Sequence, residues 1–194
     1  MRVYWGGADL AHNYHALYPD QRWAYDLVIE PAGLGSPRVE DYGCWDQPVL
    51  APITGVVSSI HDGDPDGTPG VVAETENYAG NHVVVKSDAT GTYLIVAHLE
   101  RGTVAVKPGD RIEEGQPIGR CGNSGRSSEP HVHLHHQRQE VGPFPIGLAE
   151  GLPLFFRDHR GPAMPSGGVE KRGDRIILLG DVIEHAPKQA ENFW

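Results

Sequence analysis

The sequence predicts an all-β protein, an antiparallel sandwich or barrel-like sheet with an irregular C-terminal extension, and three observations carry that prediction. Gly 25 and Pro 16 are spread through 194 residues without a repeat, a composition suited to short strands joined by tight turns. Apolar and β-branched residues gather in short runs such as Asn81–Lys86 and Thr92–Leu99, which fit strands rather than long amphipathic helices. Clusters of Asp, Gly, Ser and Pro separate those runs and mark turns. The length allows one domain with a substantial core and leaves little room for two. The expected organisation is a core over residues 1–140 and an extension over 141–194 packed on the same domain.

Taken in order, residues 22–30 (RWAYDLVIE) form a strand that carries Asp26 among apolar neighbours, where a buried carboxylate needs a partner. Residues 31–42 read as loop. Residues 47–60 give two short strands kinked at Pro52 and Gly55. Residues 61–70 form a loop whose Asp62, Asp64 and Asp66 are spaced as in a calcium loop, but no glutamate follows at the required position, so a solvated turn is expected. Residues 81–86 and 92–99 make a hairpin across the turn Ser87–Gly91. Residues 104–119 supply the short strands of a sandwich or barrel end. Beyond Val141 the pattern is less regular, with a terminal hairpin over Asp174–Glu184 returning the last segment to the sheet.

The formal net charge of -10 repels phosphate backbones and anionic headgroups, so no nucleic-acid partner is expected and neutral or cationic substrates fit better. Nowhere do 18 consecutive apolar residues occur, which argues against membrane insertion. The N-terminal residues contain no apolar run of the length a secretory signal needs, so a soluble chain is expected. Its compartment stays open, because export with removal of a leader would leave the same sequence. Cys44 and Cys121 exclude a disulfide-dense scaffold and lack the paired spacing of a zinc finger. One bridge and two free thiols both remain open.

The most informative local feature is His131-Val132-His133, behind the turn-rich stretch Gly122–Pro130. On a strand the side-chain period is two, so the two imidazoles leave one face about 7 Å apart. One can hold a metal while the other reaches that metal's water, the division of labour a hydrolytic zinc site needs. His135 continues this face and is expected at the groove's border or in support of a ligand, and His136 points the other way. Asn123, Ser124 and Ser127 lie in the preceding turn, where turn formation and contact with substrate backbone explain them equally well.

An early Asp on a strand, Val96-Ala-His-Leu99 and Pro130-His-Val-His-Leu134 occur in that order. Together with Ala51-Pro-Ile-Thr-Gly-Val-Val57, Gly80-Asn-His-Val-Val84, Lys107–Gly119 and Gly122–Ser128, they resemble the lysostaphin-type (LytM-like) zinc endopeptidases that cut cell-wall peptides. The resemblance runs from about Asp26 to Gln137. It implies a duplicated hybrid motif fold, a groove across the sheet and one zinc ion. It further implies His133 and Asp26 as metal ligands, His98 and His131 as unligated catalytic histidines, and a structural place for His82. The family's first histidine ligand stands four residues before the Asp, and here that position is Arg22, which has no lone pair for zinc. His15 and His12 are the upstream candidates to replace it. His15 is preferred, because the span to Asp26 can loop back through Pro19 and Asp20. Arg22 itself is either an anchor for a carboxylate or a plain surface charge.

The function expected from this resemblance is a zinc-dependent metalloendopeptidase acting on peptide or peptidoglycan-derived substrates. The alternative is a degenerate, metal-free module that binds or activates. A biotinyl or lipoyl carrier ranks below both, since no lysine sits at a Met-flanked turn.

Overall fold

A computed structural model describes residues 1–140, 149–173 and 175–185. The strands are β1 (Arg2–Trp5), β2 (Tyr25–Val28), β3 (Pro48–Leu50), β4 (Gly55–His61), β5 (Asn81–Ser87), β6 (Tyr93–Leu99) and β7 (Arg111–Ile112). They continue with β8 (Pro117–Arg120), β9 (Val132–Gln137), β10 (Gly151–Leu152), β11 (His159–Arg160), β12 (Val169–Arg172), β13 (Arg175–Leu178) and β14 (Glu184–His185). The helical segments among the described residues are two short 3₁₀ turns, Tyr14–Leu17 and Val39–Asp41. The fold is all-β and its strand pairs are antiparallel, as predicted.

The main sheet has the order β1-β2-β9-β6-β5-β4-β7, with β10 added beside β9. β5 and β6 are nearly continuous apolar runs because both of their faces are covered. Val83, Val85, Leu94 and Val96 point into the principal core, while Val84, Ile95 and Ala97 pack with Ala79 and Tyr93 on the opposite face. Burying one such Val or Ile contributes roughly 1.5–3 kcal/mol. The small β3–β8 sheet lies across the core and contributes Val49 and Ile118 to it, which makes the body a sandwich. Cys44 and Cys121 are disulfide-bonded, with a Cα separation of 5.8 Å. The bridge ties the approach to β3 to the segment leaving β8.

Two local expectations need correction. The 61–70 loop is not merely a solvated turn. Asp62 accepts backbone N–H bonds from Gly102 (2.6 Å) and Val104 (3.2 Å), and Asp66 accepts from Arg101 (3.0 Å) and Asn123 (2.7 Å). These carboxylates fasten the loop to the connection after β6 and to the turn after β8. The terminal hairpin is β12–β13, turning at Gly173 (φ 63°), so it begins at Val169 rather than Asp174, which lies outside the described residues. The segment after it does border the main sheet, through the bridge Arg2↔Val182 and the bond from Val3 N to Asp181 O (2.9 Å). Further contacts with the core come from Leu152 opposite His136 and from Phe156 edge-on to Tyr25 at 4.8 Å. The parts of the expected extension at 141–148 and 186–194 lie outside the described residues.

Candidate metal centre

Three adjacent strands build the site. On β9, His133 sits directly opposite Asp26 of β2 on one side and Ala97 of β6 on the other. Alternation sends Val132 and Leu134 into the core and leaves His131, His133, His135 and Gln137 on the other face. His133 Nδ1 lies 2.8 Å from Asp26 Oδ1, and His131 Nε2 lies 3.5 Å from the same oxygen.

His15 reaches this face from outside the sheet, on the 3₁₀ turn Tyr14–Leu17, whose N-cap is Asn13. The Asn13 amide is fixed because its Nδ2 donates to Gly7 O (2.9 Å), Arg22 O (3.3 Å) and Ala24 O (3.3 Å). Its Oδ1 therefore faces His15 and accepts from both the backbone N (3.1 Å) and ring Nδ1 (3.0 Å). With the ring proton held on Nδ1, neutral His15 presents a bare Nε2 to Asp26 Oδ2 at 3.4 Å. Tyr14 lies over the His15 ring, with centroids 4.1 Å apart, and meets Trp5 edge-on.

His98 arrives by a different device. Between the pairs Asn81↔Leu99 and Val83↔Val96, β5 contributes one residue and β6 contributes two, Ala97 and His98. This is a β-bulge. Strict alternation would send His98 to the core face. Instead His98 takes φ 61°, a left-handed conformation that costs about 1–2 kcal/mol for a non-glycine residue. The bonds His98 N to Ala79 O (2.9 Å) and Gly122 N to His98 O (3.1 Å) hold it there. A side chain at Gly122 would place Cβ 2.3 Å from Glu100 N, so only glycine permits that approach. The His98 ring consequently faces His131 and His133, at centroid distances of 4.8 Å and 5.7 Å.

Both candidate catalytic rings are oriented through Nδ1. His98 Nδ1–H donates to Ser124 O (2.8 Å), and His131 Nδ1–H donates to Glu129 O (2.7 Å), which turns Nε2 of each toward the cluster, that of His131 toward Asp26 Oδ1. In the metal-free chain, burial pushes the His15 pKa down to about 4 against the opposing pull of Asp26. Burial also lowers His98 well below the usual imidazole range, assisted by its histidine neighbours. Burial pushes the Asp26 carboxyl up, but His15, His131 and His133 outweigh it and hold the group well below the usual carboxylate range. For His131 burial again acts downward, and the charge and hydrogen bond of Asp26 reverse it to a net rise.

One ligand atom from each of His15, Asp26 and His133 falls within 4.8 Å of the others, and all three residues are buried. Two imidazoles and a carboxylate are donors suited to zinc. The bare Nε2 of His15 has no proton to share with the carboxylate it faces, a contact that a cation between them would satisfy. The donor set fits the ion. A groove of about 420 Å³ opens over it, bordered by Trp5, Tyr14, Tyr18, Val72 and Arg126.

Of the other residues singled out in the sequence, His12, Arg22, His82 and His136 lie apart from the cluster. His12 is exposed and pairs with Asp9 at 3.3 Å. Arg22 is exposed, donates to Ala16 O (3.2 Å) and covers the Trp23 ring at 5.1 Å. His82 bonds Gly80 O (2.8 Å) and stacks on His61. His136 faces away and meets Thr92 Oγ1 at 2.6 Å. The side chains of Asn123, Ser124 and Ser127 bond Gly67 O, Leu99 O and Glu129 O respectively, and Ser127 Oγ also lies 3.1 Å from His131 Nδ1. His135 lines the groove beside His133. It is 2 % exposed, with Nδ1 3.0 Å from His133 Nε2. Sequence reasoning missed Asn13 and Gln137. Gln137 was findable, since period two continues from His131 through His135 to it.

Residues 41–143 match the sequence model of peptidase family M23. A stretch of 95 residues is 38% identical to peptidoglycan DD-endopeptidase ShyA of Vibrio cholerae, covering 43% of this chain and 21% of that protein. Peptidoglycan DD-endopeptidase ShyC of the same organism is 35% identical over 96 residues, again 43% of this chain and 21% of the relative. The chain thus matches about a fifth of the length of these curated relatives. Among solved structures, lysostaphin from Staphylococcus simulans aligns with a TM-score of 0.45 at 14% identity, covering 95% of this chain and 79% of that one. With the family model spanning more than half of its residues, the chain belongs to peptidase family M23.

Proposed function

We propose that the chain is a zinc-dependent endopeptidase that hydrolyses peptide amide bonds of bacterial peptidoglycan, with His15, Asp26 and His133 holding the ion and His98 and His131 serving as catalytic residues. The observation that carries this reading is the convergence of two imidazoles and a carboxylate, all buried, beside two further imidazoles anchored through Nδ1. When bound, zinc supplies Lewis acidity, lowering the pKa of a water in its open coordination position and polarising the scissile carbonyl.

The protein's own residues do the rest. A bare Nε2 of His98 or His131 takes the proton of the attacking water, and the Nε2–H so formed donates a hydrogen bond to the oxyanion that develops on the carbonyl. Their Nδ1 anchors to backbone carbonyls keep both rings in one orientation through the cycle. Trp5, Tyr14 and Tyr18 give the groove an aromatic border on which an extended peptide can lie, and Arg126 is a cation at its edge. The peptidoglycan assignment draws on the names of the relatives ShyA and ShyC. The net charge of -10 favours the uncharged or cationic portions of wall peptides over anionic polymers. The Cys44–Cys121 bridge supports action in an oxidising compartment outside the cytosol.

The metal-free binding alternative rested on Arg22 in place of a histidine, and the position of His15 beside Asp26 weighs against it. Zinc titration of the metal-free protein, combined with digestion of purified cell walls and chromatography of the released peptides, tests the proposal. One equivalent of tight zinc, lost in His133→Ala together with peptide release, is expected. A wild-type chain that binds no zinc and releases nothing would overturn it.

A further inference from the structure

We infer that His135 and Gln137 are positioning residues that fix which nitrogen of His133 carries a proton, and so aim a bare Nδ1 at the metal centre. This rests on the zinc reading above and deepens it.

The chain of contacts starts at a group that can only accept. Gln139 O receives Gln137 Nε2–H at 2.9 Å. That bond fixes the amide and turns Gln137 Oε1, also an acceptor, toward His135 Nε2 at 3.2 Å. His135 therefore carries its proton on Nε2. The neutral ring carries only that one proton. Its Nδ1 is consequently bare and lies 3.0 Å from His133 Nε2, a contact that needs a proton from His133. Once His133 is an Nε2–H donor, its neutral form has its lone pair on Nδ1, the atom 2.8 Å from Asp26 Oδ1, where a bound ion would take the place of a bridging proton.

Two consequences separate this relay from simple packing. His135 has both nitrogens engaged, so it is not an additional ligand although it lies next to one. The direction of the relay is set by the amide of Gln137, about two side chains away from the ion. A supporting partner that orients a ligating histidine is typically worth 10–100-fold in metal affinity.

The test compares His135→Phe, which keeps ring size and removes the acceptor, with His135→Gln, which keeps an acceptor. Zinc affinity is read by competition with a chromogenic chelator. Nitrogen-15 long-range correlation spectra of the histidine rings report the tautomers. In the wild-type chain His135 is expected as the Nε2–H tautomer with a bare Nδ1, His135→Phe weakens zinc about 10-fold or more, and His135→Gln stays within about threefold of wild type. Gln137→Met serves if His135→Phe does not fold, and is expected to mix the His135 tautomers and weaken zinc in the same direction. An Nδ1–H tautomer at His135 in the wild type, or unchanged zinc affinity in the folded variants, would overturn the inference. A wild-type chain that binds no zinc would instead overturn the underlying function.

Discussion

Replacing Asn13 by Ala removes a side chain that is fully buried and that joins three segments. Its amide donates to Gly7 O, Arg22 O and Ala24 O, and its oxygen accepts from the backbone and ring of His15. The contacts at 3.3 Å are long, so three are weighted fully: Gly7 O at 2.9 Å and the two from His15 at 3.1 Å and 3.0 Å. At about 1 kcal/mol net each, the loss is roughly 3 kcal/mol, with the partners left buried and unpaired. The N-cap of the turn goes with it, a contribution already contained in the bond to His15 N. Urea unfolding measures the stability change, and chelator competition measures zinc affinity. We expect a drop of about 3 kcal/mol at unchanged m-value and zinc binding about 10-fold weaker, because the His15 ring loses its tautomer restraint. A stability change under about 0.5 kcal/mol, the range of a neutral surface substitution, with wild-type zinc affinity, would refute the reasoning that Asn13 positions His15.

Three more predictions concern different parts of the molecule. His98→Ala and His131→Ala are expected to keep one equivalent of zinc while turnover on peptide substrate falls by about 10²-fold or more. Full activity in both would remove their assigned roles. Reducing the Cys44–Cys121 bridge, which closes a 77-residue separation, is expected to lower stability by about 4 kcal/mol in denaturant titrations with and without reductant. His82 has a pKa lowered from 6.5 chiefly by burial, so the unfolded chain binds this proton more readily than the folded one. Stability from that residue is thus present above the unfolded value of 6.5 and is lost as pH falls through it. Urea midpoints of wild type and His82→Gln should converge between pH 7.5 and pH 5, and parallel curves would contradict this.

Much of the sheet was legible because β5 and β6 are dense apolar runs bounded by turn residues, and because β9 alternates histidine with Val and Leu. The same alternation places His131, His133 and His135 on one face. The bulge at Ala97–His98 was not legible, since an extra residue within a strand leaves no trace in composition. His98 could be singled out only through the family resemblance. The approach of His15 to Asp26 depends on a 3₁₀ turn and on the orientation of the Asn13 amide, neither of which has a periodic signature. The terminal hairpin was misplaced for another reason. β12 and β13 are partly exposed on both faces, so their burial pattern is weak and only the turn at Gly173 marks the register. The distance between Cys44 and Cys121 depends on strands remote in sequence, so their pairing needed the fold.

The most direct test of the account is a crystal structure grown with zinc, with anomalous difference density collected on both sides of the zinc absorption edge. The account predicts one strong peak in contact with His15, Asp26 and His133, with His98 and His131 close by and not ligating. A peak held instead by His12 or Arg22's neighbours, or no peak at the Asp26 carboxylate, would contradict it.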